Sequence, residues 1–129
     1  MSNKRYINQI QINPSNLNNV INDVSDYLHK NDFKPINING EIFFANNTIN
    51  EFNWVLCLKF RFNGTVAFIE GWLVGLDMAR EPNFNEEYGI DSMYGYLWRP
   101  TTMLKAVIRD VESLIKQGKN NIKFQREFF

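Results

Sequence analysis

Residues 52–62 constrain this chain more than any other stretch. Phe52, Trp54, Leu56, Leu58, Phe60 and Phe62 make every even position apolar, while the odd positions include Lys59 and Arg61. Alternation with a period of two marks a strand that sets one face against a core. Asn63-Gly64 follows directly, a dipeptide that favours the type I′ turn because that turn needs positive φ at both central residues. The spacing therefore predicts a hairpin whose return strand runs from Thr65 to about Gly75. A two-residue loop also sets the cross-strand pairs. Phe62 then faces Thr65, Phe60 faces Ala67, Leu58 faces Ile69, Leu56 faces Gly71 and Trp54 faces Leu73. Small residues at 67 and 71 leave room for a helix to lie close, so this face is assigned to the core. The opposite face pairs Arg61 with Val66, Lys59 with Phe68, Cys57 with Glu70 and Val55 with Trp72. It mixes charge with aromatic surface, and it is expected to be partly open to water or to a partner.

The flanking segments supply the second layer. Tyr6–Ile12 reads as a half-buried strand with Tyr6, Ile10 and Ile12 on one side. Asn13-Pro14 is an N-cap followed by proline at the first helical position. Leu17, Val20, Ile21, Val24 and Leu28 then recur at helical spacing, and the helix is expected to end near His29-Lys30-Asn31, with Pro35 closing the connection. Ile38–Ala45 reads as one strand with Ile38, Ile42 and Phe44 on one face. Residues 76–98 have no clean period and read as a long loop, a length that in compact domains is often functional. Pro100 and Thr101-Thr102 open a second helix whose buried stripe is Leu104, Val107, Ile108, Val111, Leu114 and Ile115, with Gly118 at its C′ position. Asn121–Phe128 reads as a last strand with Ile122, Phe124 and Phe128 on one face. The expected architecture is a single two-layer α+β domain over residues 1–129, in the order βαβββαβ, with two helices on one face of an antiparallel-rich sheet.

At 129 residues the chain suits one core, and its eleven Phe, five Tyr and three Trp argue against disorder. Fourteen basic residues cancel fourteen acidic ones, which removes net charge as an argument for nucleic acid or an anionic membrane. Nineteen asparagines, several in adjacent pairs, suit turns and polar faces. A lone cysteine and the lack of any apolar run after Met1–Tyr6 or of spanning length point to a soluble cytoplasmic protein.

Catalytic and cofactor chemistry finds little support. His29 is the single histidine, with neither a nucleophile nor an orienting carboxylate at useful spacing, and it reads as a helix-terminal residue. Cys57 lies mid-strand between Lys59 and Glu70 influences that oppose one another, and it reads as inert packing. One histidine and one cysteine exclude the usual zinc sets, and no phosphate-binding or dinucleotide-binding glycine pattern occurs. No enzyme activity, cofactor or metal is expected.

Two features remain as candidate sites. The first is the acidic–aromatic segment. Asp77, Glu81, Glu86, Glu87 and Asp91 stand against Arg80 alone, five carboxylates to one base for a local charge of −4, with Phe84, Tyr88, Tyr94, Tyr96 and Trp98 interleaved or adjacent. Clustered carboxylates steer basic partners, and tyrosine and tryptophan anchor interfaces. The second is the outer sheet face of Lys59, Arg61, Phe68 and Trp72, a basic and aromatic surface of the kind that stacks single-stranded bases, although Glu70 sits centrally and no RNP1 pattern is present.

No family matches residue by residue. At the level of class, the chain resembles the small stand-alone immunity proteins of bacterial toxin systems, which are single α+β domains without catalytic motifs. That likeness implies a protein-binding inhibitor that neutralises a basic toxin domain by occlusion through the 77–98 segment. The alternatives are a single-stranded nucleic-acid-binding module using the outer sheet face, and a small-ligand binder or enzyme with a pocket between the 76–98 loop and the sheet.

Overall fold

The structure, a computed structural model, describes residues 5–46, 54–90 and 98–118. Among the described residues, six strands and two helices follow one another as β1 (Tyr6–Gln11), α1 (Val20–Lys30), β2 (Lys34–Ile38), β3 (Glu41–Asn46), β4 (Trp54–Asn63), β5 (Val66–Leu76), β6 (Pro82–Tyr88) and α2 (Trp98–Gln117). All pairings are antiparallel, in the order β1-β5-β4-β3-β2. β4 covers one edge of β5 along Val66–Gly75, so β1 and β6 share the other edge, β1 against Val66–Gly71 and β6 against Leu73–Leu76. The α+β class with both helices on one face is as expected. The order is roughly matched, with residues 34–46 divided into two strands and β6 added.

The main core lies between the sheet and the helices. Leu56, Leu58, Ala67, Ile69 and Leu73 meet Val24, Tyr27 and Leu28 of α1 and Leu104, Val107, Ile108, Val111, Leu114 and Ile115 of α2. The even positions of β4 therefore face the helices as the alternation required, and the whole expected stripe of α2 is buried. Gly71 permits the closest approach: a Cβ built there would stand 2.6 Å from Ile108 Cδ1.

The β4–β5 hairpin is displaced by two residues from the expected register. Phe62 pairs with Ala67, Phe60 with Ile69, Leu58 with Gly71 and Leu56 with Leu73. The turn is centred on Gly64-Thr65, with Gly64 at φ +63 in the first central position, the placement of glycine in a type II′ turn. A shift of two keeps every side chain on its face, whereas a shift of one would have inverted the sheet. The outer pairs become Arg61 with Phe68, Lys59 with Glu70, Cys57 with Trp72 and Val55 with Val74.

Three further expectations need correction. Ile38–Ala45 is a hairpin, not one strand: Asn39 at φ +54 and Gly40 at φ +90 form the two-residue turn joining β2 to β3. Ile38 consequently belongs to the outer face, Phe44 to the inner one, and Ile42 is 62% exposed. Asn13 caps a 3-10 turn at Pro14–Asn16 by accepting from Ser15 N at 3.0 Å, and α1 starts only at Val20. Leu17 and Ile21 are thus exposed, and Tyr27 takes the buried place beside Leu28. Finally, the segment after β5 is not a structureless loop, since β6 pairs with β5 across a bulge between Val74 and Leu76. Phe52 and the expected last strand Asn121–Phe128 lie outside the described residues.

The outer sheet face carries a second apolar cluster. Phe43, Val55, Cys57, Trp72 and Val74 are buried there, with Ile36, Ile38, Ala45, Leu76 and Phe84 packed around them. Phe43 of β3 lies 4.9 Å from Trp72 and 5.8 Å from Phe84 of β6, ring centroid to centroid. These rings meet over the two intervening strands and cover Trp72, which is 1% exposed. The face expected to be partly open is therefore closed at its centre, over Trp72, and open at Arg61. Among the described residues, no helix is long and apolar enough to cross a membrane.

Candidate functional site

The β5–β6 hairpin places the first candidate residues. Its tip is built by Asp77, whose Oδ1 accepts from Ala79 N at 2.9 Å and from Glu81 N at 3.0 Å, while Arg80 N donates to Asp77 O at 2.9 Å. Asp77 is thereby spent on the turn, and Met78 projects fully into solvent between Asp77 and Glu81, which are also exposed. Along β6, alternation separates the neighbouring glutamates. Glu86 faces solvent and accepts from Tyr88 Oη at 2.7 Å. Glu87 turns the other way, toward the outer sheet face. Tyr88 is half-buried, edge-on to Trp54 at 5.1 Å. Asp91, Tyr94, Tyr96 and the Trp98 side chain lie outside the described residues; Trp98 opens α2.

Glu87 leads to a constellation the sequence reading missed. Arg5, one residue before β1, lays its guanidinium over the Trp72 ring at 3.5 Å from the centroid. Nε and Nη2 donate to the two oxygens of Glu87 at 2.8 and 2.7 Å. Nη1 and Nη2 donate to the two oxygens of Glu41 at 2.6 and 2.9 Å, and Nη1 also reaches Glu70 at 3.1 Å. Lys59 Nζ donates to Glu41 at 2.9 Å. One arginine therefore ties β3, β5 and β6 together above the second apolar cluster. Two bidentate contacts and a stacked face are the strong form of guanidinium recognition.

The electrostatics follow from that contact set. The Glu41 carboxyl is held down from 4.5 to about 2, first by the hydrogen bonds from Arg5 and, against a smaller opposing effect of burial, by Lys59. The Arg5 guanidinium is pushed further up, chiefly by its bonds to Glu87 and Glu41. Burial raises the Cys57 thiol, with the Glu87 charge adding to it. A carboxyl whose folded pKa is depressed adds stability above its unfolded value and loses it as pH falls through the folded one. Wild-type stability is therefore expected to decline between pH 4.5 and about 2. Urea midpoints measured across that window should flatten in Glu41→Gln, and an equal slope in both proteins would remove Glu41 as the cause.

The second candidate set is divided. Arg61 is exposed and stacks over Phe68 at 4.1 Å, Lys59 is half-buried on Glu41, and Trp72 is sealed beneath Arg5. Without an accessible indole, this face offers a single-stranded base no stacking at Trp72. His29 lies in the last turn of α1 with its ring edge-on to Phe44 at 6.3 Å. Among the described residues, no group of three His, Cys, Asp or Glu side chains is placed to hold a metal ion. No family model, curated protein or solved structure matches this chain.

Proposed function

We propose that this chain is a protein-binding inhibitor of the immunity type, which occludes a basic partner, a toxin domain by class, through the β5–β6 hairpin. The observation that carries this reading is the exposed tip of the hairpin: Met78 is fully exposed in the turn with Asp77 and Glu81, where Arg80 is the one cation, and Glu86 follows on β6, accepting from the half-buried Tyr88. An exposed flexible thioether makes an adaptable apolar contact, and the carboxylates around it favour a cationic partner. The same carboxylates repel a phosphate backbone, which ranks protein above nucleic acid as the ligand.

The roles of the hairpin residues divide. Glu81 and Glu86 act in encounter, so Glu81→Gln/Glu86→Gln should slow association and flatten its dependence on salt. Met78 and Tyr88 act in retention, so Met78→Ala or Tyr88→Ala should speed dissociation, with a loss of about 2 kcal/mol where the side chain is a central anchor. Affinity purification from the native host supplies the partner, and surface plasmon resonance reads both rates. If the hairpin variants bind and protect as the wild type does, the hairpin is not the interface.

A further inference from the structure

We propose that the pocket filled by Arg5 is a guanidinium-binding site occupied in cis, which accepts an arginine side chain from the basic partner in exchange. Three observations support a recognition site over an ordinary surface ion pair. Its floor is the face of a buried indole, 3.5 Å from the guanidinium carbon. Its walls are three carboxylates from three different strands, and between them they accept five hydrogen bonds from the guanidinium. A guanidinium has five N–H groups, so the planar fork is fully met, which an ammonium cannot reproduce.

The occupant is also the separable part. Glu41, Glu70, Trp72 and Glu87 sit within the sheet, whereas Arg5 precedes the first β1–β5 pair, Tyr6 with Gly71. Its release leaves every strand pair in place and gives up five side-chain hydrogen bonds and the indole stack. The emptied pocket holds three carboxylates against Lys59, a net charge of −2, and an incoming guanidinium replaces the lost contacts one for one. Arg5 acts in cis as a competitor at roughly millimolar effective concentration. Free arginine is thus excluded, while a partner already held on the hairpin competes on equal terms. Glu87 and Glu86 are neighbours on β6 but point to opposite faces of it, so a partner on the hairpin must reach round this strand to deliver its arginine. The identity of the donor rests on the protein-binding reading; the pocket itself does not.

The test uses the full chain and N-acetyl-arginine methylamide, read by the indole N–H resonance of Trp72 in two-dimensional NMR. Arg5→Ala should bind the probe saturably and at least about tenfold more tightly than the wild type, because the internal competitor is gone. The matching lysine derivative should not saturate. Equal, unsaturable shifts in Arg5→Ala and wild type would overturn the proposal. Should Arg5→Ala fail to fold, Arg5→Lys keeps the charge, and the arginine probe must then still outcompete the tethered lysine or the proposal falls. A hairpin-dependent partner alongside a pocket that takes no probe would sink this inference and leave the proposed function standing. A pocket that takes the probe, with no hairpin-dependent partner, would do the reverse.

Discussion

Replacing Trp72 with alanine is expected to destabilise the fold by about 3–5 kcal/mol, the range for deleting a large buried aromatic. Trp72 is 1% exposed and is the largest side chain of the outer cluster. Phe43 packs on it from one side and the Arg5 guanidinium covers it. Truncation leaves a void beneath a cation and three carboxylates, none of which can fill it without surrendering the contacts they make to each other. Trp72→Phe should cost less, since it keeps an aromatic floor. Urea unfolding followed by circular dichroism separates the two variants. A loss below about 1 kcal/mol for Trp72→Ala would mean that the outer cluster closes over the gap and is not a second core. The same variant bears on the nucleic-acid alternative, because a residue sealed under Arg5 should affect stability and leave RNA affinity unmoved.

The faces of β4 and β5 were legible because their apolar alternation is local and long. The pairs were not, since register depends on which two residues form the turn. Asn63-Gly64 reads as the central pair of a type I′ turn, yet glycine at the first central position of Gly64-Thr65 satisfies a different two-residue turn equally well. The identical dipeptide at Asn39-Gly40 does adopt positive φ at both residues. It was hidden because Ile38, Ile42 and Phe44 keep an even spacing across it. β6 escaped for the opposite reason: Pro82–Tyr88 carries too few apolar residues to show a period, and it is held as a strand by pairing to β5.

The candidate site shows the same limit more sharply. Five carboxylates in fifteen residues look like one acidic surface, but a strand sends neighbours to opposite faces, and so Glu86 meets water where Glu87 meets Arg5. Asp77 is drawn into its own turn. The outer parity of Trp72 was legible, its cover was not: Phe43, Phe84 and Arg5 come from three other parts of the chain. Nothing local to Arg5 announces its role, which depends on the Tyr6–Gly71 register bringing β1 alongside Trp72.

Leu58→Ala should cost about 2–5 kcal/mol, because the deleted atoms lie in the main core, where neighbours from sheet and helix both bound the cavity. Leu58 is fully buried, pairs with Gly71 on β5 and with Phe44 on β3, and joins the same cluster as Val107, Ile108 and Val111 of α2. Collapse around the gap is restricted on two sides. The strand backbone is held by ladder bonds to both neighbours, and Ile108 already fills the space that a Cβ at Gly71 would need. The cost is therefore expected toward the upper part of that range. Leu58→Met conserves volume and should lose less than about 1.5 kcal/mol. Chemical denaturation of the three proteins checks the assignment of faces on which every other argument depends. An alanine variant as stable as the wild type would place Leu58 away from the helices and exchange the two faces of the sheet, putting Lys59 in the core and dissolving the Arg5 pocket with it.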